Sequence, residues 1–119
     1  MPQHERDKAY LWDMLDAARM AQSVTSDIKY HEFLTDRVRQ LALERTVEII
    51  GEAARKISED FKNENQDIPW KAIIAQRNVL AHEYAEIRQE RMWSLVKKDI
   101  PELAEKLDYL LAQMTQVRK

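Results

Sequence analysis

The sequence predicts an all-α fold, a four- to five-helix antiparallel bundle, on three observations. One glycine and three prolines in 119 residues leave too few turn-makers for a protein of many short strands. The charged content of 34%, rich in Glu, Lys and Arg beside Ala and Leu, is the composition of long amphipathic helices. Apolar residues also recur at alternating three- and four-residue spacing through most of the chain. The length fits a single helical domain over residues 1–119.

Composition narrows the function as well. There is no cysteine, which excludes disulfides and thiolate metal sites and suits a reducing compartment. No apolar run approaches the roughly eighteen residues of a membrane span, and "MPQHERDKAY" lacks a signal-peptide core. The expectation is a soluble cytoplasmic protein with no membrane partner. A formal net charge of −2 argues against general affinity for nucleic acid, so any such site must be local.

The first helix is expected from about Glu5 to Val24, with Leu11, Met14, Leu15, Ala18 and Ala21 on its buried face. "SVTSD" ends it with residues that cap or turn. A long second helix follows from about Tyr30 to Glu59, its seam being Leu43, Val47, Ile50, Ala54 and Ile57, with Phe61 in phase beyond. Gly51 sits inside that seam at a cost of about 1 kcal/mol relative to alanine, which points to close approach of another helix. "SEDFKNENQD" reads as a surface loop. Pro69 then suits the first turn of a third helix, where its missing N–H costs nothing. That helix should fade near "AEI". The last begins about Gln89 and carries Trp93, Val96, Ile100, Leu103, Leu107, Leu110 and Met114, with a kink or break at Ile100 imposed by Pro101. The basic end "VRK" reads as a frayed tail.

The third helix carries "RNVLAHEY", a cation, an amide, an imidazole and a phenol in an otherwise apolar segment. At about 100° per residue, Ile73, Val79, Leu80 and Ile87 fall on the core side. Arg77, Asn78, His82 and Tyr84 flank a shallow strip floored by Ala81 and Ala85 on the other side. Glu83 falls on the core side and fits badly there. Arg77 and His82 are about 140° apart, too far to meet on one atom within a regular helix. Two copies about a twofold axis would bring the Arg of one chain toward the His of the other.

Such a pairing would suit metal-free cleavage of RNA. Unperturbed histidine alone titrates near pH 6.5, and the planar fork of arginine matches phosphate. One imidazole would deprotonate a ribose 2′-OH and the other would protonate the leaving 5′-oxygen, with Arg stabilising charge on phosphorus and Asn orienting the substrate. The same residues more often make surface ion pairs and a partly buried ring, and spacing alone favours that reading over the catalytic one. His4 and His31 lie at no metal-ligand spacing, and neither a metal set nor a glycine-rich phosphate loop is visible, so no cofactor is expected. Trp12, Trp70 and Trp93 read as helix-packing residues.

The motif and its surroundings resemble the HepT-like branch of the HEPN superfamily, whose signature is Arg-x(4–6)-His-x-Tyr with a polar residue after the Arg. Arg77, Asn78, His82 and Tyr84 fill it. "EIIGEAARKIS" and "DIPWKAII" before it, and "MWSLVKKDIPELAEKL" after it, are similar to the family as well. The resemblance implies a bundle that dimerises through the motif helices and acts as a metal-independent endoribonuclease toxin. Arg77 and His82 would be catalytic and Asn78 supporting. Tyr84 would accept AMP from a cognate minimal nucleotidyltransferase that silences the toxin. Relatives often carry a helix-capping Asp or Asn where this chain has Arg88; with Arg91 it would instead supply local positive charge for RNA. The alternative is a non-catalytic helical subunit that binds nucleotide or the nucleotidyltransferase.

Overall fold

The computed structural model describes residues 3–81 and 85–116, with side chains at 3–76 and 87–115. Among these the fold is all-α. Helix α1 (Gln3–Thr25) buries the five residues expected of it, together with Ala17 and Thr25. Trp12, expected to pack, is 47% exposed, because Leu11, Met14 and Leu15 already occupy the inward face around it.

The predicted second helix is three. Helix α2 (Tyr30–Phe33) is one short turn, α3 (Arg37–Lys56) is the long one, and α4 (Glu59–Glu64) follows. The first break is local chemistry: the Asp36 carboxylate caps α3 by accepting from the Arg39 N–H at 3.1 Å. It is held from a distance by buried Gln40, whose amide donates to the carbonyls of Phe33 and Leu34 at 3.0 and 3.1 Å. Phe33 itself turns into the core against Trp93, ring centroids 5.3 Å apart. The second break comes at Ile57, which is extended, and Ser58, whose hydroxyl accepts from the Phe61 N–H at 3.3 Å. "SEDFKNENQD", read as a loop, therefore opens with α4. Phe61 joins the core from that helix and meets Trp70 edge-on at 6.3 Å.

The α3 seam of Leu43, Val47, Ile50, Ala54 and Ile57 is buried throughout. It packs against α1 on one side and α5 (Trp70–Ala81) on the other. Pro69 stands just before α5, its carbonyl accepting from the Ile73 N–H at 3.0 Å. "AEI" is helical, at the start of the described stretch of α6 (Ala85–Ser94), where a fading helix was expected.

Between α6 and α7 (Ile100–Gln116) the chain makes a π turn over Leu95–Asp99, closed by the Ile100 N–H donating to the Leu95 carbonyl. Ser94 and Ile100 both keep right-handed helical angles, so the rod continues where a kink or break was expected. Pro101 cannot donate to the preceding turn, and widening to a five-residue spacing absorbs that loss. The apolar phase survives: Val96, Ile100, Leu103, Leu107 and Met114 are buried. Among the described residues no helix is long and apolar enough to cross a membrane.

Candidate functional site

The segment that carries the motif is held at both ends on α3. At its start, Trp70 is buried and its indole N–H donates to the Asn65 carbonyl at 3.0 Å. Ile73 and Ile74 then pack against the core. Gly51 of α3 faces this helix so closely that an added Cβ would lie 3.5 Å from the Ile73 carbonyl oxygen. The close approach read from the sequence is real, and it leaves room for one methyl group.

At the other end α6 is pinned by buried Met92 and by Trp93, which sits against Phe33 and Tyr30 with the Lys97 ammonium 4.7 Å from its ring centroid. Gln89 adds a polar link that the sequence reading missed. It is buried, and its amide donates to the Glu44 carboxylate at 3.0 Å, itself 3.6 Å from the Arg37 guanidinium. The signal was a glutamine at an inward position in phase with Met92, Trp93 and Val96. Its other amide atom, Oε1, is buried without a hydrogen-bond partner.

Of the predicted site residues, Arg77 and Asn78 belong to the last turns of α5. His82 and Tyr84 lie outside the described residues, as does Glu83. Arg88 and Arg91 stand three apart on α6, neighbours on its surface. Arg88 is therefore inside α6, and the question of a missing cap at this position does not arise. Ile87 is 47% exposed, although the continuous wheel placed it in the core. It belongs to α6, whose inward face is set by Gln89, Met92 and Val96.

His4 and His31 are both exposed, on α1 and α2. Among the described residues no three His, Asp or Glu come together as a metal set. Among the described residues the displaced titrations are those of Asp27, held below its ordinary value, and Arg39, raised, by the bond between them.

On the outer flank of α5 a groove of about 380 Å³ opens toward the π turn and α7, with Gln76, the residue before Arg77, in its wall.

The family model for ribonuclease HepT-like proteins matches residues 14–110, the greater part of the chain. The chain belongs to the HepT-like ribonuclease family. Membership makes RNA cleavage its class of activity. A Thermococcus cleftensis protein named probable ribonuclease HepT is 38% identical over 103 residues, covering 87% of this chain and 94% of its own. A Methanocaldococcus jannaschii protein named as an RNase is 38% identical over 101 residues, 85% and 93% of the two chains. Another named as an RNase, from Caldanaerobacter subterraneus subsp. tengcongensis, is 31% identical over 104 residues, 87% and 93%. No solved structure matches the chain.

Proposed function

We propose that this HepT-like chain is a metal-independent endoribonuclease toxin, paired with a minimal nucleotidyltransferase that silences it by adenylylating Tyr84. The observation that carries the reading is the intact set Arg77, Asn78, His82 and Tyr84 in a chain matched to the family from residue 14 to 110. It is supported by the way α5 and α6 are each anchored on α3, which gives the segment between them a rigid frame.

The active unit is a homodimer in which the motif helices of two copies face each other. His82 of one copy takes the proton of a ribose 2′-OH, whose oxygen attacks the adjacent phosphorus. The bond to the 5′-oxygen breaks, and His82 of the other copy supplies that oxygen with a proton. Arg77 neutralises the charge building on the phosphoryl oxygens, and Asn78 orients the phosphodiester. The products are a 2′,3′-cyclic phosphate and a 5′-hydroxyl. Arg88 and Arg91 give the approaching strand local positive charge that a net −2 does not.

Purified protein incubated with single-stranded RNA in EDTA should release fragments ending in a cyclic phosphate or its hydrolysis product. Arg77→Ala and His82→Ala should each lower the rate by about a hundredfold or more while the helical circular dichroism is kept. A requirement for added magnesium, or full activity in folded His82→Ala, overturns the mechanism. Light scattering at micromolar concentration should report a dimer, and a strict monomer removes the composite site.

A further inference from the structure

The groove beside α5 is a second candidate site, and its chemistry is unlike that of an RNA path. Its floor is apolar, made by Val47 and Ile50 of α3, Ile73 of α5, and Ile100 and Leu103 of α7. Its rim carries Asp67, Asp99, Glu102 and, among the described residues, a single cation, Lys106. That cation is already engaged: its ammonium donates to the Asp67 backbone carbonyl at 2.7 Å and pairs with Glu102 at 3.3 Å. The carboxylates of Asp67 and Asp99 have no hydrogen-bond or ion-pair partner among the described residues, and both side chains are exposed. The rim therefore presents two unneutralised negative charges, which disfavours phosphates.

Shape adds to charge. The wall formed by the π turn and α7 runs from Leu95 to Lys106, about 16 Å at about 1.5 Å per residue. The opposite wall is α5, with exposed Ala72 at the mouth. A long apolar trough between two helices, with charged edges, is the form that accepts the apolar face of another helix at i, i+3, i+4 and i+7. Flanking Lys or Arg would lay their methylene stems along the trough edge and carry their heads to the carboxylates.

We propose that this groove docks a basic amphipathic helix supplied by another protein, its apolar stripe on Ile73 and Leu103 and its cations on Asp67 and Asp99. The proposal stands apart from the ribonuclease reading, since none of these residues belongs to the Arg77–His82 set.

The test is isothermal titration calorimetry on the full chain with two synthetic helical peptides of about fifteen residues, long enough to fill the trough at about 1.5 Å per residue. One carries a leucine stripe flanked by lysines, and the other has every lysine replaced by glutamate. The lysine peptide should bind, and added salt should weaken it. Asp67→Asn with Asp99→Asn should reduce affinity about tenfold or more, and Ala72→Arg, which fills the mouth, should abolish it. Asp13→Asn with Asp16→Asn, exposed acids on α1, should leave affinity unchanged. Equal binding of the glutamate peptide, no binding of the lysine peptide, or equal loss in the α1 variant overturns the proposal. So does conversion of a self-associated species to monomer by Ala72→Arg, which would make a second copy the occupant. RNA cleavage measured on the same variants keeps the two readings separate, because neither result determines the other.

Discussion

Asp7 and Ser58, 51 positions apart, share a pair of hydrogen bonds: the Ser58 N–H donates to Oδ1 of Asp7 at 2.9 Å and its hydroxyl to Oδ2 at 2.7 Å. The same hydroxyl accepts from the Phe61 N–H to cap α4. One buried carboxylate in the first turns of α1 thus fixes where α3 stops and α4 starts. Asp7→Ala should cost about 2 kcal/mol, since it leaves the Ser58 donors with no acceptor in a closed site. Ser58→Ala should cost about 1 kcal/mol through the lost cap. Urea unfolding followed by circular dichroism measures both, and an unchanged midpoint in Asp7→Ala would remove the tie from the account.

Gly51 should be replaceable by alanine with a gain. The added Cβ meets the Ile73 carbonyl at ordinary contact distance, 3.5 Å, while the helix sheds the entropic penalty of glycine. Gly51→Ala should raise stability by up to about 1 kcal/mol. Gly51→Leu should lower it by about 2 kcal/mol, because the larger side chain has to push α5 away. A destabilised alanine variant would mean that α5 cannot yield even a few tenths of an ångström.

The loop between α1 and α2 should titrate below the usual carboxylate range. Asp27 is held under its ordinary value of 3.8 first by the hydrogen bond from Arg39 and then by that residue's charge. Because the folded value is the lower one, this contribution is present above about pH 4 and is lost as pH falls through the folded value. Solvent screens the pair, so the readout is the carboxyl resonance and not the melting temperature. In a carbon-detected titration Arg39→Met should return Asp27 to ordinary behaviour, and an unmoved midpoint would mean that another group lowers it.

Adenylylation should map to Tyr84. The strongest competitor on exposure is Tyr109, 65% accessible on α7, with its hydroxyl accepting from Gln113. Incubation with the cognate nucleotidyltransferase and ATP should add AMP to the peptide containing Tyr84. Tyr84→Phe should abolish that addition and leave a ribonuclease its partner cannot silence. Modification that moves to Tyr10, Tyr30 or Tyr109, or persists in Tyr84→Phe, sinks the assignment.

The long helices were legible because each buries one continuous stripe. The seams of α1, α3 and α7 follow directly from apolar spacing. The breaks were not legible from spacing, because distant partners settle them. Phe33 ends α2 with its ring against Trp93, Gln40 holds the Phe33 and Leu34 carbonyls, and Asp7 reaches Ser58 from the far end of α1. Helix α4 did carry a local signal, Ser58 followed by Glu59 and Asp60 in the first turn, but its polar composition concealed it. At the candidate site, the placement of Arg77 and Asn78 on a helix could be read from the pattern. The exposure of Ile87 could not, because Gln89, Met92 and Val96 set the inward face around it.

The π turn at Leu95–Asp99 sets a rotational register along the rod that joins α6 to α7. One residue more or fewer in such a rod turns everything upstream by about 100° relative to everything downstream. Deleting Lys98 is the exception, since the widened turn holds one residue more than an α turn and relaxes to it with Gln89 and Met92 still facing the bundle; inserting a residue would swing them out and send Arg88 and Arg91 into a new direction. The turn thus couples a proline at the start of one helix to the angular aim of two arginines roughly three turns upstream, beside the motif.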